Sequence, residues 1–299
     1  MLTFNKYERP ATLEEAWTLN KKKSARLAAG TMWMRMGEGQ TGTLVDLCGL
    51  GLDQLEETQE AFIIGAMTSL RKLETWEPFV LYTNGAVREA LRHIIGVQFR
   101  NGATVGGSIW GRFGFSDVTT LFLALETSVE LYCGPEEGTK TMTLDDFVQA
   151  GQDQPKGAIL TRIIVRKEQG TFDYRSVRRT ATDFPVLTEA AAKLDNGEWR
   201  FAIGARPGIA VRVEVENGLI TAECMDEVIE AMCQNIETGS NMRGSAEYRK
   251  HLIGVLTERS IRKLMCIQIE ADGQNCLEAA NQSGAEATEQ NGTATGGCQ

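Results

Sequence analysis

Hydrophobic positions along the first ~155 residues alternate between short apolar runs and helix-like periodicity. Three runs predict buried strands: Ala25–Ala29, which stops at Gly30, then Leu44–Leu47 and Ala61–Gly65. The segment Asn84–Ile95 places its apolar side chains on one face and predicts an amphipathic helix. Strands that alternate with helices in this way predict layered α/β units.

Capping signals mark where several of these helices begin. Thr12 and Glu15 form a capping box at the start of a helix that we expect to reach about Lys22. Ser116 and Asp117 precede a leucine-rich helix, and Thr143–Asp146 caps another short one. A glycine-rich bend is predicted between the helical segments, at residues 101–107.

From about residue 158 the pattern predicts longer strands. These are Ile159–Val165, Phe184–Leu194, Trp199–Ile203 and Ala210–Val215, with the turn Asp195–Gly197 joining the second to the third as a hairpin. Two helices follow, over Met225–Gln234 and from Ser245 to about Ile267. Beyond ~270 the chain has almost no large apolar side chain, and this composition predicts a disordered tail.

Charge and composition exclude several classes of protein. The formal net charge of −9 argues against nucleic acid or an anionic membrane surface as the main partner. No run of apolar residues is long enough to span a membrane, and the N-terminus lacks the apolar segment of a signal peptide, so we expect a cytoplasmic protein.

Cysteine and histidine usage indicates no metal site within this chain. The seven cysteines are dispersed without a CxxC pair, which predicts reduced thiols. There are only two histidines, which is few for a Ser-His-Asp triad or a histidine-rich metal site. His93 falls in a helical pattern and is expected to be a surface or packing residue.

Two glycine-bearing segments are candidates for anion binding: Leu27–Thr31 and Thr104–Ser108. Small residues let backbone amides approach an anion closely, and a pair of such loops can cradle a pyrophosphate. Neither segment matches the phosphate-binding loop of nucleotide triphosphatases or the Gly-x-Gly-x-x-Gly motif of Rossmann dehydrogenases. From the residues alone, two ordinary tight turns are the favoured explanation.

Taken in order, these segments resemble the flavin subunits of the molybdenum hydroxylases, the family of xanthine dehydrogenases and aerobic CO dehydrogenases. Leu27–Thr31 is similar to the first FAD-pyrophosphate loop of that family, and Gln98–Gly107 is similar to its second flavin loop. Asp117, ten residues after Gly107, also fits. Further segments with the family's pattern are Phe62–Leu70, Leu160–Val165 and Arg243–Leu252. The resemblance covers roughly residues 1–267.

The resemblance implies an α+β protein with a PCMH-type FAD-binding fold. Two small α/β subdomains, at about 1–55 and 56–157, would be followed by a C-terminal domain at 158–268 with an antiparallel sheet and helices. A disordered tail would occupy 269–299. FAD would lie extended between the domains.

The resemblance also assigns cofactor-binding residues and no catalytic one. Backbone amides of Ala28, Ala29, Gly30 and Thr31 would hold the pyrophosphate. The neighbours Arg26, Leu27 and Met32 would flank that loop. The second loop would comprise Thr104, Gly106, Gly107 and Ser108. Asp117 would bond the adenosine ribose or a nearby backbone group, and Leu160 would cover the flavin ring.

Some positions depart from the family pattern. Ala29-Gly30 stands where two glycines are usual, Met32-Trp33 replaces a more polar pair, and Ser108 replaces an asparagine. Three aromatic residues follow where small and polar ones are typical, and they could stack on the adenine, contact a partner or fill the core: Trp110, Phe113 and Phe115.

A second departure lies near Ser176, where the family often has a lysine that this chain lacks. Arg178 and Arg179 could tune the flavin or its anionic ligand, or could simply be solvated. Tyr174 is a weaker candidate for a neighbour of the flavin.

The function implied is electron transfer. A molybdopterin-binding large subunit would hydroxylate the substrate, which we expect to be xanthine or another purine. The [2Fe–2S] clusters of a small subunit would pass the electrons to FAD, and NAD⁺ or another acceptor would receive them. Two alternatives remain open: a flavin-free structural subunit of such a complex, and a stand-alone flavin oxidase.

Overall fold

The structure, a computed structural model, describes residues 2–266 apart from residues 152, 217, 222 and 223. The tail predicted at 269–299 lies outside the described residues, as do Cys276 and Cys298. Three sheets organise the described chain, and each is the centre of one structural unit.

The first unit is a three-stranded parallel sheet in the order β1-β3-β2. Its strands are β1 (Thr3–Glu8), β2 (Ala25–Ala28) and β3 (Gln40–Asp46), with helix α1 (Leu13–Asn20) between the first two. The predicted cap by Thr12 is present, because its hydroxyl accepts from the Glu15 amide, but the Glu15 carboxylate accepts from the amide of Ala11, one residue before the cap. The helix ends two residues earlier than predicted.

The second unit is a five-stranded antiparallel sheet in the order β4-β5-β8-β6-β7. Its strands are β4 (Leu55–Glu57), β5 (Ala61–Gly65), β6 (Thr127–Tyr132), β7 (Thr139–Thr143) and β8 (Ile159–Arg166). The expected domain boundary at 157/158 would place β8 in the C-terminal domain. The strand instead pairs with β5 on one side and β6 on the other, because its alternate side chains are buried in the core of the second unit.

Seven short helices lie between the strands of this sheet in the sequence, and α6 and α8 pack directly on it. They are α2 (Leu70–Glu74), α3 (Glu77–Tyr82), α4 (Ala86–Arg92), α5 (Val97–Gly102), α6 (Val105–Trp110), α7 (Asp117–Ala124) and α8 (Leu144–Gln149). The bend predicted at 101–107 is wrong, because these residues end α5 and begin α6, which the Thr104 hydroxyl caps by accepting from the Gly107 amide. The helix predicted over 84–95 is shorter, because Asn84 and Ile95 both have positive φ, at 51° and 52°.

The third unit is a four-stranded antiparallel sheet in the order β12-β11-β10-β9. Its strands are β9 (Gly170–Val177), β10 (Leu187–Leu194), β11 (Trp199–Gly204) and β12 (Val211–Val215), followed by helix α9 (Met225–Asn235) and a helix over 246–266, here α10. The strand predicted from Phe184 begins only at Leu187, since Phe184 and Pro185 belong to a preceding loop.

Helix α7 joins the second unit to the third. All eight of its residues are buried, and it packs against β10 and β11. The sheet face that meets α7 carries small side chains such as Ala190 and Ala202, so helix and sheet approach closely. The Thr120 hydroxyl on α7 and the Thr188 hydroxyl on β10 are 3.0 Å apart and share a hydrogen bond within this contact. The opposite face of the sheet packs larger side chains against α9 and α10.

None of the helices in the described ranges is both long and apolar enough to cross a membrane.

Candidate functional site

One large cavity, of about 850 Å³, lies where the three units meet. Its walls come from the loop after β2, from α5 and α6, from the start of α7, from β8 and from the loop before β10. Ligand and cofactor sites in proteins are concave, mostly apolar and usually ~300–1,000 Å³ in volume. The cavity is therefore large enough for an extended organic cofactor, and segments distant in sequence must assemble to form it.

The loop after β2 supplies backbone donors to this cavity. Ala28 ends the strand, is buried and does not line the cavity. Its carbonyl accepts a hydrogen bond from the Leu47 amide at 3.0 Å, which holds the first residue of the loop against the chain after β3. Thr31 has a φ of 55°. Within the described part of the chain, the amides of Gly30, Thr31 and Met32 donate to no other protein group. Unpaired amides in a tight turn form the type of backbone concavity that binds anions.

Glycine lets the two predicted loops touch. A Cβ atom on Gly30 would lie 1.4 Å from the carbonyl oxygen of Gly102, and one on Gly106 would lie 2.6 Å from the Ala66 Cβ. The backbones of the β2 loop and the α5–α6 connection are thus in direct contact. A side chain at Gly30 would push these two backbones apart, whereas one at Gly106 would push the start of α6 away from Ala66.

The second loop differs from the first in how its amides are used. Val105 and Gly106 donate to the carbonyls of Thr68 and Ala66, both at 2.9 Å, and the next two amides bond to Thr104. The amides of the second loop are therefore already paired. This loop contributes small residues, which let other groups approach its backbone closely. The predicted residues of this loop all line the cavity: Thr104, Gly106, Gly107 and Ser108.

Asp117 also lines the cavity, and its carboxylate is engaged. Its Oδ1 atom accepts a hydrogen bond from the Tyr174 hydroxyl at 2.5 Å and pairs with the Arg178 guanidinium. Burial raises the pKa of Asp117, while Arg178 and Tyr174 oppose that change. Burial and the Asp117 charge together raise the pKa of Tyr174 well above its usual 10. Tyr174 therefore supports Asp117 from the third unit and does not line the cavity.

Aromatic side chains form one wall of the cavity. Trp33 lies 4.9 Å from Phe113 and 5.3 Å from Phe115 between ring centroids, and Phe115 lies 4.5 Å from Phe184. Trp110 reaches the cavity but packs on the core residue Phe147, with the ring centroids 5.7 Å apart. Sequence reasoning singled out Phe113 and Phe115, noted Trp33 only as a departure and missed Phe184. The sequence signals for this wall were the three aromatic residues after the second glycine segment and the single Trp33 after the first.

Most of the remaining predicted residues line the cavity, and one lies outside its lining. Arg26, Leu27, Ala29 and Leu160 line the cavity, the last from β8 and almost fully buried. Arg178 lines it as the partner of Asp117, whereas Arg179 lies outside the lining, exposed. His93 lies at the cavity edge, where its Nε2 atom faces Arg92 Nε at 3.1 Å.

The described residues contain no group of His, Cys, Asp and Glu that could hold a metal ion. Five cysteines in this part of the chain are free thiols. The cavity thus offers apolar walls together with unpaired backbone amides. A flavin ring fits the former and a pyrophosphate fits the latter, so the residues fit FAD.

Sequence profiles of known families match almost all of the described chain. Residues 2–166 match the FAD binding domain in molybdopterin dehydrogenase, and residues 172–264 match the CO dehydrogenase flavoprotein C-terminal domain. The two profiles meet just after β8, which agrees with the pairing of β8 in the second sheet.

Several curated proteins are similar over most of their length. The putative xanthine dehydrogenase FAD-binding subunit XdhB of Escherichia coli K12 is 25% identical over 285 residues, covering 87% of this chain and 96% of that protein. The nicotine 6-hydroxylase medium subunit of Paenarthrobacter nicotinovorans is 27% identical over 277 residues, covering 86% and 95%. The uncharacterised protein YgfM of Escherichia coli K12 is 27% identical over 257 residues, covering 83% and 92%.

Solved structures share the fold. A chain of carbon monoxide dehydrogenase from Hydrogenophaga pseudoflava superposes with a TM-score of 0.78 at 24% identity, covering 87% of this chain and 97% of that one. Quinoline 2-oxidoreductase from Pseudomonas putida 86 gives 0.75 at 21%, covering 87% and 96%. The family profiles and the FAD-binding relatives identify FAD as the cofactor. The chain belongs to the family of FAD-binding medium subunits of the molybdenum hydroxylases.

Proposed function

We propose that this chain binds FAD across the central cavity and acts as an electron-transfer subunit. It would receive electrons from [2Fe–2S] clusters on a small subunit and deliver them to NAD⁺ or another acceptor. One observation carries the proposal: the cavity joins the unpaired amides of the β2 loop to an apolar wall at the meeting point of all three units.

The residues of the cavity would hold different parts of the cofactor. The amides of Ala29, Gly30, Thr31 and Met32 would bind the pyrophosphate, with Ala28, Leu27 and Arg26 supporting the loop. The small residues of the second loop, Gly106 and Gly107 between Thr104 and Ser108, would let the cofactor approach the backbone. Asp117 would bond the adenosine ribose or a nearby backbone group, and Leu160 would lie against the ring.

When bound, FAD exchanges electrons both singly and in pairs, which lets it link one-electron clusters to a two-electron acceptor. The chain itself needs no acid or base for this. Among the described residues that line the cavity, the ionisable side chains are Arg26, His93, Asp117, Arg178 and Asp183. Asp117 and Arg178 neutralise each other. The residues therefore bind and orient the cofactor, exclude water from its ring and influence its potential.

We infer that the substrate of the whole complex is a purine such as xanthine, transformed on a molybdopterin-binding large subunit. The xanthine dehydrogenase FAD-binding subunit of Escherichia coli among the relatives supports this choice. Other relatives are named for nicotine, glyceraldehyde and carbon monoxide, so the substrate is not a property of the flavin subunit alone.

The test is anaerobic mixing of the purified multi-subunit complex with xanthine, while the flavin absorbance is followed. We expect the flavin to bleach on mixing and to recover its absorbance when NAD⁺ is added. The control is the isolated chain loaded with FAD, which should not bleach with xanthine. Bleaching of the isolated chain would support a stand-alone oxidase. A complex that oxidises xanthine without flavin in this chain would support the structural subunit instead.

A further inference from the structure

Two residues with a strained backbone line the cavity, and FAD binding as proposed above accounts for only one of them. Thr31 and Ile95 are the β-branched residues with positive φ in the described part of the chain, at 55° and 52°, and both line the cavity. A β-branched side chain crowds its own backbone in this region, which glycine adopts freely. Thr31 belongs to the β2 loop, whose amides are assigned to the pyrophosphate, whereas Ile95 has no such assignment.

A buried ion pair holds the turn at Ile95 in its strained form. The guanidinium of Arg100 is buried and donates from Nη1 to the carbonyls of Arg92 and Ile94, at 3.0 and 3.2 Å. Its Nε and Nη2 atoms donate to the Glu74 carboxylate at 2.8 and 3.2 Å. These bonds tie the turn between α4 and α5 to α2, so the turn cannot relax without breaking them.

The side chain of Ile95 lies at the mouth of the cavity and not in the core. It is 43% exposed and forms part of the cavity lining. The first unit contributes two further exposed apolar residues to the lining, Trp33 and Met36. Apolar side chains from two units are thus exposed to water around the mouth, and contact with a bound organic ring would bury them.

We propose that Ile95 is a cofactor-binding residue, which covers bound FAD at the mouth of the cavity and excludes water from it. The strained turn is retained because it directs an apolar side chain to this place, which glycine could not supply. Strained residues persist where the surrounding structure determines their conformation, and they cluster at functional sites. The inference rests on the proposed function, since it adds a residue to the site that holds FAD.

A purely structural role for Ile95 makes a different prediction about stability. If the side chain served only to stabilise the fold, its removal would destabilise the chain with or without FAD. Nearly half of the side chain is exposed, however, and glycine would relieve the strain at a φ of 52°. The fold therefore gains little from isoleucine at this position, and the loss on its removal should fall on the contact with the cofactor.

The test uses the purified full-length chain with three substitutions at this position: Ile95→Gly, Ile95→Ala and Ile95→Leu. Val97→Ala is the control, because Val97 is the first residue of α5, is also 43% exposed and does not line the cavity. The rate of FAD release on dilution is followed by flavin fluorescence. The access of iodide to the bound flavin is measured by fluorescence quenching, and the Tm of each chain is measured after removal of FAD.

We expect Ile95→Gly and Ile95→Ala to release FAD about tenfold faster than the wild type, the scale for losing one aliphatic contact. Their bound flavin should also be more accessible to iodide. Ile95→Leu restores an apolar side chain of the same size and should release FAD at nearly the wild-type rate. Without FAD, the Tm of Ile95→Gly should match that of the wild type within ~3 °C, because relief of strain offsets the lost contacts.

Unchanged FAD release and iodide access in Ile95→Gly would overturn the proposal, and so would equal effects from Val97→Ala. A lowered Tm without FAD, together with unchanged FAD release, would assign Ile95 to the fold alone and would overturn it as well. Each of these results would leave FAD bound to the wild-type chain and the electron-transfer function intact. A wild-type chain that binds no FAD would instead contradict the proposed function itself.

Discussion

Gly30 shows how a single residue determines the geometry of the cavity. The position is adjacent to Thr31, whose φ is positive, and its own α-carbon faces the carbonyl of Gly102. An added Cβ would lie 1.4 Å from that oxygen, far inside any real contact. The β2 loop and the α5–α6 connection can therefore touch only when this residue is glycine.

Replacement Gly30→Ala should separate the two loops and weaken FAD binding. Relief of the overlap requires backbone movement, and overpacking of this kind costs ~1–3 kcal/mol. We expect the variant to bind FAD about 5- to 150-fold more weakly, the same energy expressed as an affinity ratio, in a titration followed by flavin fluorescence.

Gly39→Ala is the matched control, because a Cβ at that position meets no atom within 4 Å and its φ is not positive. Its FAD affinity and its Tm should equal those of the wild type. If Gly30→Ala bound FAD as tightly as the control, the close contact of the two loops would be unimportant for the site.

Individual site residues were predictable where they share a local motif. Leu27–Thr31 and Thr104–Ser108 could be selected because small residues cluster in sequence there. The wall formed by Trp33, Phe113 and Phe184 could not, because each residue comes from a different unit and only the packing of the three units brings them together. Arg243 begins a segment that resembles the family, but nothing local indicated its position beside Phe184.

At the scale of elements, β10 and α10 are joined through a buried acid. Glu189 on β10 is fully buried, and its Oε2 atom accepts from the Thr257 hydroxyl on α10 at 3.1 Å. Its other oxygen has no partner in the described chain. Burial raises the pKa of Glu189 from 4.5 to about 8, so the side chain is neutral in the folded protein at neutral pH.

This acid makes stability depend on pH. The unfolded chain loses the Glu189 proton above pH 4.5, whereas the folded chain keeps it until about pH 8. The free energy of unfolding should therefore fall as the pH rises through this window, by ~1.4 kcal/mol per pH unit for this group. The variant Glu189→Gln remains neutral and should lack this component. Between pH 6 and pH 8 the wild type should lose ~2–3 kcal/mol more than the variant in denaturant unfolding.

Glu258→Gln serves as the control for this comparison, because Glu258 is an exposed acid on the same helix. Its pH profile should follow that of the wild type. Parallel profiles for the wild type and Glu189→Gln would mean that Glu189 is ionised in the folded state.

Elements with strong periodicity were predictable, and polar strands were not. The strand at Ala61–Gly65 and the hairpin around Asp195–Gly197 appear as predicted, because a buried apolar run and an Asp-Asn-Gly turn are local signals. Strands β1 and β7 were missed, since they lie at sheet edges and are largely exposed. Strand β9 was missed because Asp173 and Arg175 interrupt its pattern, although both bond to Ser260 of α10.

On the scale of the whole molecule, the cavity exists because three separate sheets converge. Strand β8 follows β6 and β7 in the chain and inserts between β5 and β6 in the second sheet. Helix α7 joins this unit to the third. The pattern of apolar positions indicated a change from short strands and helices to longer strands near residue 158. It did not indicate that the strand there belongs to the preceding sheet. Only long-range pairing determines that assignment.

Binding of FAD in the assembled cavity is tested by the cofactor content of the purified chain. The absorption spectrum is recorded before and after denaturation, and the released flavin is identified by chromatography. We expect one FAD per chain and no FMN. A colourless protein that also fails to take up added FAD would contradict it.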